Sequence, residues 1–228
     1  MKIAVNPTFS KGVVAAWPIC LGYAPIGLAF GVLAQKAGLT PLEIGLMSVI
    51  VFAGSSQFIA VSMLGAGASM VSIVATAFIV NLRHFLMSSA LAVYLKNSDR
   101  TKLTFFSYGV TDESFAVNLT RFKESEWDIN SALVTNYAAN ITWLITTVLG
   151  GFSGQFISAH AFGIDYALIA MFICLLVFQL RASIYVITAI IAGVFAVFLS
   201  MIIPGNSYIV IASMAAAALG VVVKKKLV

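Results

Sequence analysis

Charge is what this 228-residue sequence has least of: 9% of its residues are Asp, Glu, Lys or Arg, where an ordinary globular chain carries about 25%. Thirteen basic and eight acidic side chains against 61% apolar residues leave too little polar surface to solvate a water-soluble body of this size. A soluble domain is excluded, and lipid is the solvent the composition fits. Cysteine is nearly missing as well. Cys20 and Cys174 both lie in apolar stretches, where a thiol acts as a small hydrophobe, so no disulfide framework follows. Two isolated histidines and these cysteines supply no ligand cluster, so neither a metal nor another cofactor is expected. The net charge of +5 is dispersed through short polar segments, apart from Lys224, Lys225 and Lys226. That pattern argues against nucleic acid and for the charge signals that orient membrane helices. Lys2 and Lys11 precede an apolar run that contains Pro18 and Pro25 and lacks a small-residue cleavage site, so it reads as mature chain.

What is present is long apolar runs. A hydrocarbon core about 30 Å thick needs roughly 20 apolar residues per helix, and seven windows qualify: residues 13–34, 41–64, 70–95, 131–151, 162–178, 183–203 and 207–223. An eighth, residues 105–120, has a helical period but carries Thr111, Asp112, Glu113, Ser114 and Asn118. It is either an interfacial helix or a crossing shielded by the bundle. The expected fold is therefore all-α, a polytopic membrane bundle of seven to eight helices forming one transmembrane domain over 1–228. The second window opens with Thr40, Pro41 and Glu43, the composition of a helix start, which makes Glu43 a cap.

Comparing the chain with itself at a spacing of 97 to 98 residues gives three matches in order. FSKGV from Phe9 recurs as FSYGV from Phe106, AGSSQFIA from Ala53 as GFSGQFIS from Gly151, and Asn81-Leu82-Arg83 as Gln179-Leu180-Arg181. They suggest an inverted internal repeat, with copies at about 9–96 and 106–200 and a final helix at about 207–223. Charge counting leaves the topology open. Eight crossings put Lys2, Lys11, Arg121, Lys123, Arg181 and the terminal lysines inside, against Lys36, Lys96, Arg100 and Lys102 outside; seven crossings leave only Lys2 and Lys11 outside. Both place the C-terminus in the cytoplasm.

Candidate functional residues are the polar ones that lipid would otherwise exclude. Arg83 and His84 sit mid-window, where a charge costs roughly 2.5 to 3.5 kcal/mol. Either the helix breaks at Asn81 and they bond freed carbonyls, or Arg83 meets a carboxylate and His84 carries a proton. Asn81 and His84 share a face, and Arg83 points about 100° away. Asp112 and Glu113 are either solvated carboxylates on a surface helix, ion-pair partners of Arg83 or Arg181, or coupling carboxylates. Gly54, Ser55, Ser56 and Gln57, echoed by Ser153, Gly154 and Gln155, are small and amide residues. They suit either close helix packing or exposed helix-end amides that hold a substrate. Gly27 with Gly31, and Ala212 with Ala216 and Gly220, are packing stripes.

Gly151 to Gly154 also spells GxSG, the nucleophile motif of rhomboid-type intramembrane proteases, with His84 or His160 as the available bases. His160 follows Ser153 too closely for that family's arrangement, so no enzyme is expected.

The Gly22–Gly31 stretch with Pro25, FAGSSQF from Phe52, NLRH from Asn81 and TDESFA from Thr111 together resemble the AzlC family, the large subunit of two-component branched-chain amino acid exporters. The resemblance implies a bacterial inner-membrane protein that exports leucine, isoleucine, valine and methionine on the proton-motive force, with a small hydrophobic AzlD-type partner. It carries no binding residues with it. From the residues alone, alternating access would hold a zwitterion near the midplane, with its carboxylate at Arg83 or beside Gly54 to Gln57 and its ammonium at Asp112 or Glu113. The next reading is a channel or facilitator without a coupling ion.

Overall fold

The structure, a computed structural model, describes residues 7–96, 98–124, 127–157, 166, 173, 176–177, 180, 183–202, 211–212, 215–216 and 218–220. The regular elements among them are all helical: α1 (Pro7–Lys36), α2 (Pro41–Ile50), α3 (Gly54–Gly65), α4 (Met70–Ala92), α5 (Arg100–Tyr108), α6 (Asp112–Lys123), α7 (Ile129–Ser153) and α8 (Ser183–Ser200). Four of them, α1, α4, α7 and α8, are long and apolar enough to cross a membrane, and α2 is a shorter apolar helix. The chain forms two compact units, Met1–Leu168 and Ile169–Val228. In the second, Ala212 and Ala216 are buried and a Cβ on Gly220 would lie 2.8 Å from Thr188 Oγ1, which fits a packing stripe.

The first unit is organised on α1 and α7, its most extensively packed pair. Thr8 O accepts from Ser131 and Gly12 O from Thr135, while Gly27 abuts Thr146 and Gly31 abuts Gly150. The two helices therefore run in the same direction. Glycine lets them do so at backbone contact: a Cβ on Gly31 would collide with Thr147 O and one on Gly150 with Leu28 O, both main-chain atoms that cannot swing aside.

Two of the expected helices are broken. The window 41–64 divides at Val51–Ala53, where Phe52 has a φ of +36°. The window 105–120 divides at Gly109–Thr111 and extends outward to Arg100 and Lys123. Each broken pair doubles back on itself. In the first, Pro41 and Ile44 lie against Gly151, Gly45 against Val148 and Ser48 against Thr147, so α2 descends α7 from its C-terminal end. Gln57 then reaches back to Ser48 at 3.2 Å, and Phe58 packs on Phe30, beside the Gly27 to Gly31 level of α1. Collinear helices would hold Ser48 and Gln57 well over 10 Å apart at 1.5 Å per residue plus the extended break. In the second, Lys102 bonds Asn130, Phe106 O accepts from Asn136 and Asn140 meets Tyr108. So α5 climbs from the N-terminal end of α7, and α6 returns with Asn118 on Asn136. Leu103, Phe122 and Ile129 all pack against one apolar cluster that includes Leu91 and Leu95 at the end of α4. The segment around 105–120 is thus neither a surface helix nor a single straight crossing.

By contrast α4 is continuous from Met70 to Ala92, which corrects the reading of a break at Asn81. The strings matched at 97 to 98 residues do not occupy equivalent places. FSKGV opens α1 while FSYGV closes α5, and AGSSQ opens α3 while GFSGQ closes α7; Gln179 and Arg181 of the third pair lie outside the described residues. A different correspondence is present. The elements α2, α3 and α4 start at Pro41, Gly54 and Met70, and α5, α6 and α7 at Arg100, Asp112 and Ile129, 59, 58 and 59 residues later, with similar lengths. In register with this, Ser72, Thr76 and Asn81 recur as Ser131, Thr135 and Asn140. Among the remaining sequence expectations, the Thr40 and Glu43 capping box is formed, with Pro41 in the first turn.

Filling the glycine seam should unfold the first unit. Gly150→Val forces a branched side chain into the α1 backbone and should abolish recovery of monodisperse protein in detergent. Gly22→Ala, whose Cβ meets nothing within 4 Å, should leave the yield and melting temperature unchanged.

Candidate functional site

The tips of the two hairpins meet beside the middle of α7, at Trp143. The Tyr108 hydroxyl donates to Val49 O, one of the last carbonyls of α2, and the Phe52 and Tyr108 rings are 6.1 Å apart. On the α3 side, Gly54 follows Ala53, an N-cap with no side chain to offer; the first amide to find a helical carbonyl is Gln57 N–H on Ala53 O. A Cβ on Gly54 would press on the Trp143 indole at 3.2 Å. The α6 start is closed: Thr111 and Ser114 cap each other's amides. Thr111 is therefore the N-cap, and Asp112 and Glu113 occupy the first turn, where the helix dipole favours a negative charge, instead of the middle of a helix.

Arg83 joins the two starts. From the middle of α4 its Nη1 lies 2.8 Å from Asp112 Oδ2 on α6, and its Nη2 donates to Ser55 Oγ on α3. The side chains of Arg83 and Asp112 keep 30% and 26% of their surface exposed, so the pair sits at the open margin of the packed unit. Two buried polar atoms of α4 have no hydrogen-bond partner among the described residues, Arg83 Nε and Asn81 Oδ1. His84, beside Arg83, lies in the field of both Arg83 and Glu113.

Tyr23 of α1 completes the cluster. Its hydroxyl, on a buried side chain, lies 2.9 Å from Thr111 Oγ1 and 2.7 Å from Glu113 Oε2, and its ring packs edge-on to Trp143. Nothing in the sequence beyond a phenol within an apolar, proline-containing helix pointed to Tyr23, and Trp143 carried no signal beyond its indole N–H.

The candidates named from sequence thus divide. Gly54, Ser55, Arg83, Asp112 and Glu113 converge on the tips, with His84 at their edge and Asn81 on the same helix. Ser56 and Gln57 are turned elsewhere. The Ser56 hydroxyl returns to Ala53 O, and the Gln57 amide is held on both sides, accepting from Trp143 Nε1 at 3.0 Å and donating to Ser48, which in turn meets Thr147. Arg181 and His160 lie outside the described residues. Ser153 closes α7, and the next residue, Gly154, packs on Gln35 near the end of α1, far along the helix from the tips. Among the described residues no group of His, Cys, Asp and Glu could hold a metal ion.

Comparison with known proteins gives a consistent picture. Residues 18–157 match the AzlC protein family. The chain is 30% identical over 197 residues to the inner membrane protein YgaZ of Escherichia coli, covering 82% of this chain and 80% of that one. It is 32% identical over 157 residues to a membrane protein of Archaeoglobus fulgidus, covering 68% and 66%. It is 25% identical over 166 residues to the branched-chain amino acid transport protein AzlC of Bacillus subtilis, covering 71% and 64%. No solved structure matches it.

Gln57→Leu keeps the volume but strands the Trp143 N–H in a buried site and leaves the Ser48 hydroxyl with Thr147 alone, at a cost of about 1–3 kcal/mol. Thermal unfolding in detergent should show a melting temperature several degrees lower, while Ser89→Ala, whose exposed hydroxyl bonds a carbonyl of its own helix, should shift it little.

Proposed function

The chain belongs to the AzlC family, and from that premise we propose that it is a secondary transporter that exports branched-chain amino acids across the cytoplasmic membrane. The observation that carries the reading is the meeting of two half-helix starts with Arg83, Asp112 and Glu113 beside the middle of α7. Half-helices that begin at the midplane present unpaired amides and a positive dipole end to an anionic group. The uncapped start of α3 and the Arg83 guanidinium suit a substrate carboxylate, and the Asp112 and Glu113 carboxylates suit its ammonium. A side chain of leucine, isoleucine, valine or methionine needs only the apolar surroundings that the composition supplies. The name of the Bacillus relative supports the substrate class. A small hydrophobic AzlD-type subunit is the expected partner; α4, almost none of whose residues are buried within the described unit, has surface available for it.

The hairpins also give the topology a simpler form than seven or eight crossings. If each enters and leaves by one face, the membrane is crossed by α1, α4, α7, the window 162–178, α8 and the window 207–223. Lys2, Lys11, Lys96, Arg100, Lys102, Arg121, Lys123, Arg181 and the three terminal lysines then share one side, with Lys36 alone on the other and Arg83 within. That separation is sharper than either earlier count, and by the positive-inside rule it puts both termini in the cytoplasm. The α2–α3–α4 and α5–α6–α7 sets, entering from opposite faces, are the inverted repeat in this reading, and alternating access exchanges their roles.

Two experiments test it. In a background with Cys20 and Cys174 replaced by alanine, Arg100→Cys and Lys123→Cys should both resist a membrane-impermeant thiol reagent in intact cells and both react in inverted vesicles; labelling from opposite faces would mean a crossing. Cells loaded with leucine peptides should export leucine only with the partner subunit and an intact proton gradient, and Arg83→Ala should lower the rate at least tenfold at equal expression. Efflux that survives an uncoupler would mark a facilitator instead.

A further inference from the structure

The acids at the tips are not equivalent. Asp112 is engaged by the Arg83 guanidinium at 2.8 Å, whereas among the described residues Glu113 makes no ion pair and its carboxylate receives the neutral Tyr23 hydroxyl at 2.7 Å. Of the titratable and charged groups at the tips, Tyr23 from α1 donates to Glu113, His84 from α4 lies in its field, and Arg83 from α4 is held by Asp112, the neighbour of Glu113 on α6, and by the neutral Ser55 of α3; Tyr108 at the end of α5 is turned to Val49 O, and Trp143 of α7, against the Tyr23 ring, is neutral. With His84 neutral the cluster holds one cation and two carboxylates, an excess of one negative charge. Protonating Asp112 would leave Arg83 unpaired inside a membrane protein, which is costly. Protonating Glu113 orphans nothing.

Tyr23 supplies the reason. Its hydroxyl has a single hydrogen and two acceptors in reach, Glu113 Oε2 at 2.7 Å and Thr111 Oγ1 at 2.9 Å. While Glu113 is a carboxylate the hydrogen goes to it. Once a proton has bonded to Glu113 Oε2, the new O–H can donate to the Tyr23 oxygen, and the Tyr23 hydrogen turns to Thr111, the residue that caps α6. Loss of the proton reverses each step, and no other bond is made or broken.

Resting on the exporter reading above, we propose that Glu113 is the one site at which a proton and the substrate ammonium compete, so that one proton enters for each amino acid that leaves. The Glu113 carboxylate can be neutralised by one positive group at a time, and Tyr23 reports which state is present to the start of α6. Asp112 serves as the fixed counter-charge of Arg83.

The test uses the full chain with its small partner subunit in proteoliposomes and in lightly buffered detergent solution, with leucine as the probe. Wild type should exchange internal for external leucine without a gradient, accumulate it against an imposed pH gradient, and release up to one proton per leucine bound. Glu113→Gln should raise the leucine concentration that half-saturates exchange at least tenfold, because the ammonium loses its partner, and should lose gradient-driven accumulation at least tenfold and release no proton at saturating leucine. Asp112→Asn should lose exchange along with accumulation, because Arg83 is then unpaired. Tyr23→Phe removes the donor that favours the charged carboxylate, so the pH midpoint of transport should move upward by about one unit. Gradient-driven accumulation or proton release that persists in Glu113→Gln overturns the proposal, as does an unmoved midpoint in Tyr23→Phe, which decides the matter should Glu113→Gln fail to fold. A wild type that does not exchange leucine overturns the exporter reading first, and this inference with it; exchange without proton release overturns this inference alone.

Discussion

A helix that stops halfway through a membrane leaves amides and carbonyls that lipid cannot bond, each at a cost of several kcal/mol. At the two breaks of the first unit most of these groups are bonded within the protein. The carbonyls that end α5 are met by Asn136 and Tyr137 of α7, and one near the end of α2 by the Tyr108 hydroxyl. The amides that start α6 are met by its own capping box. To bring these donors within reach, α7 must lie against both hairpins and α1 along its length, which the backbone contacts at Gly31 and Gly150 allow. Of the starts of α2 to α7, that of α3 alone has no side-chain cap, and there Ser55 meets Arg83.

Much of the site could be read from residue chemistry and little of its architecture could. A guanidinium and adjacent carboxylates in apolar surroundings are conspicuous whatever the fold, so Arg83, Asp112 and Glu113 stood out. Gly54 and Ser55 stood out because small residues at a helix start leave its amides bare. What periodicity cannot show is a turn inside an apolar run. Val51, Phe52 and Ala53 are as apolar as the helices they separate, and the break depends on tertiary partners such as Gln57, Ser48 and Trp143. Gln57 was legible as a polar residue in an unlikely place, yet both ends of its amide serve the turn, which only the fold reveals.

The internal correspondence is a sharper case. Short strings such as FSKGV and FSYGV recur at 97 to 98 residues but open one helix and close another. The correspondence at about 59 residues is sparse in identities, with Ser72, Thr76 and Asn81 echoed by Ser131, Thr135 and Asn140, and clear in the lengths and order of six helices. The matching places differ in their bonding. Asn140 meets the Tyr108 hydroxyl, while Asn81, at the matching place on α4, has a buried oxygen without a partner among the described residues.

Phe52 gives the α2–α3 tip a mechanical character. A phenylalanine with a φ of +36° occupies a region disfavoured for any side chain, at a cost of about 1–3 kcal/mol, and it is buried against Tyr108. The neighbouring hydroxyl of Tyr108 grips Val49 O, three residues before the strained bond. The turn is thus a cocked spring held by a latch on the opposite hairpin. Any motion that draws α5 away from α2 must break this hydrogen bond, so the tips of the two hairpins are tied together beside the strained residue.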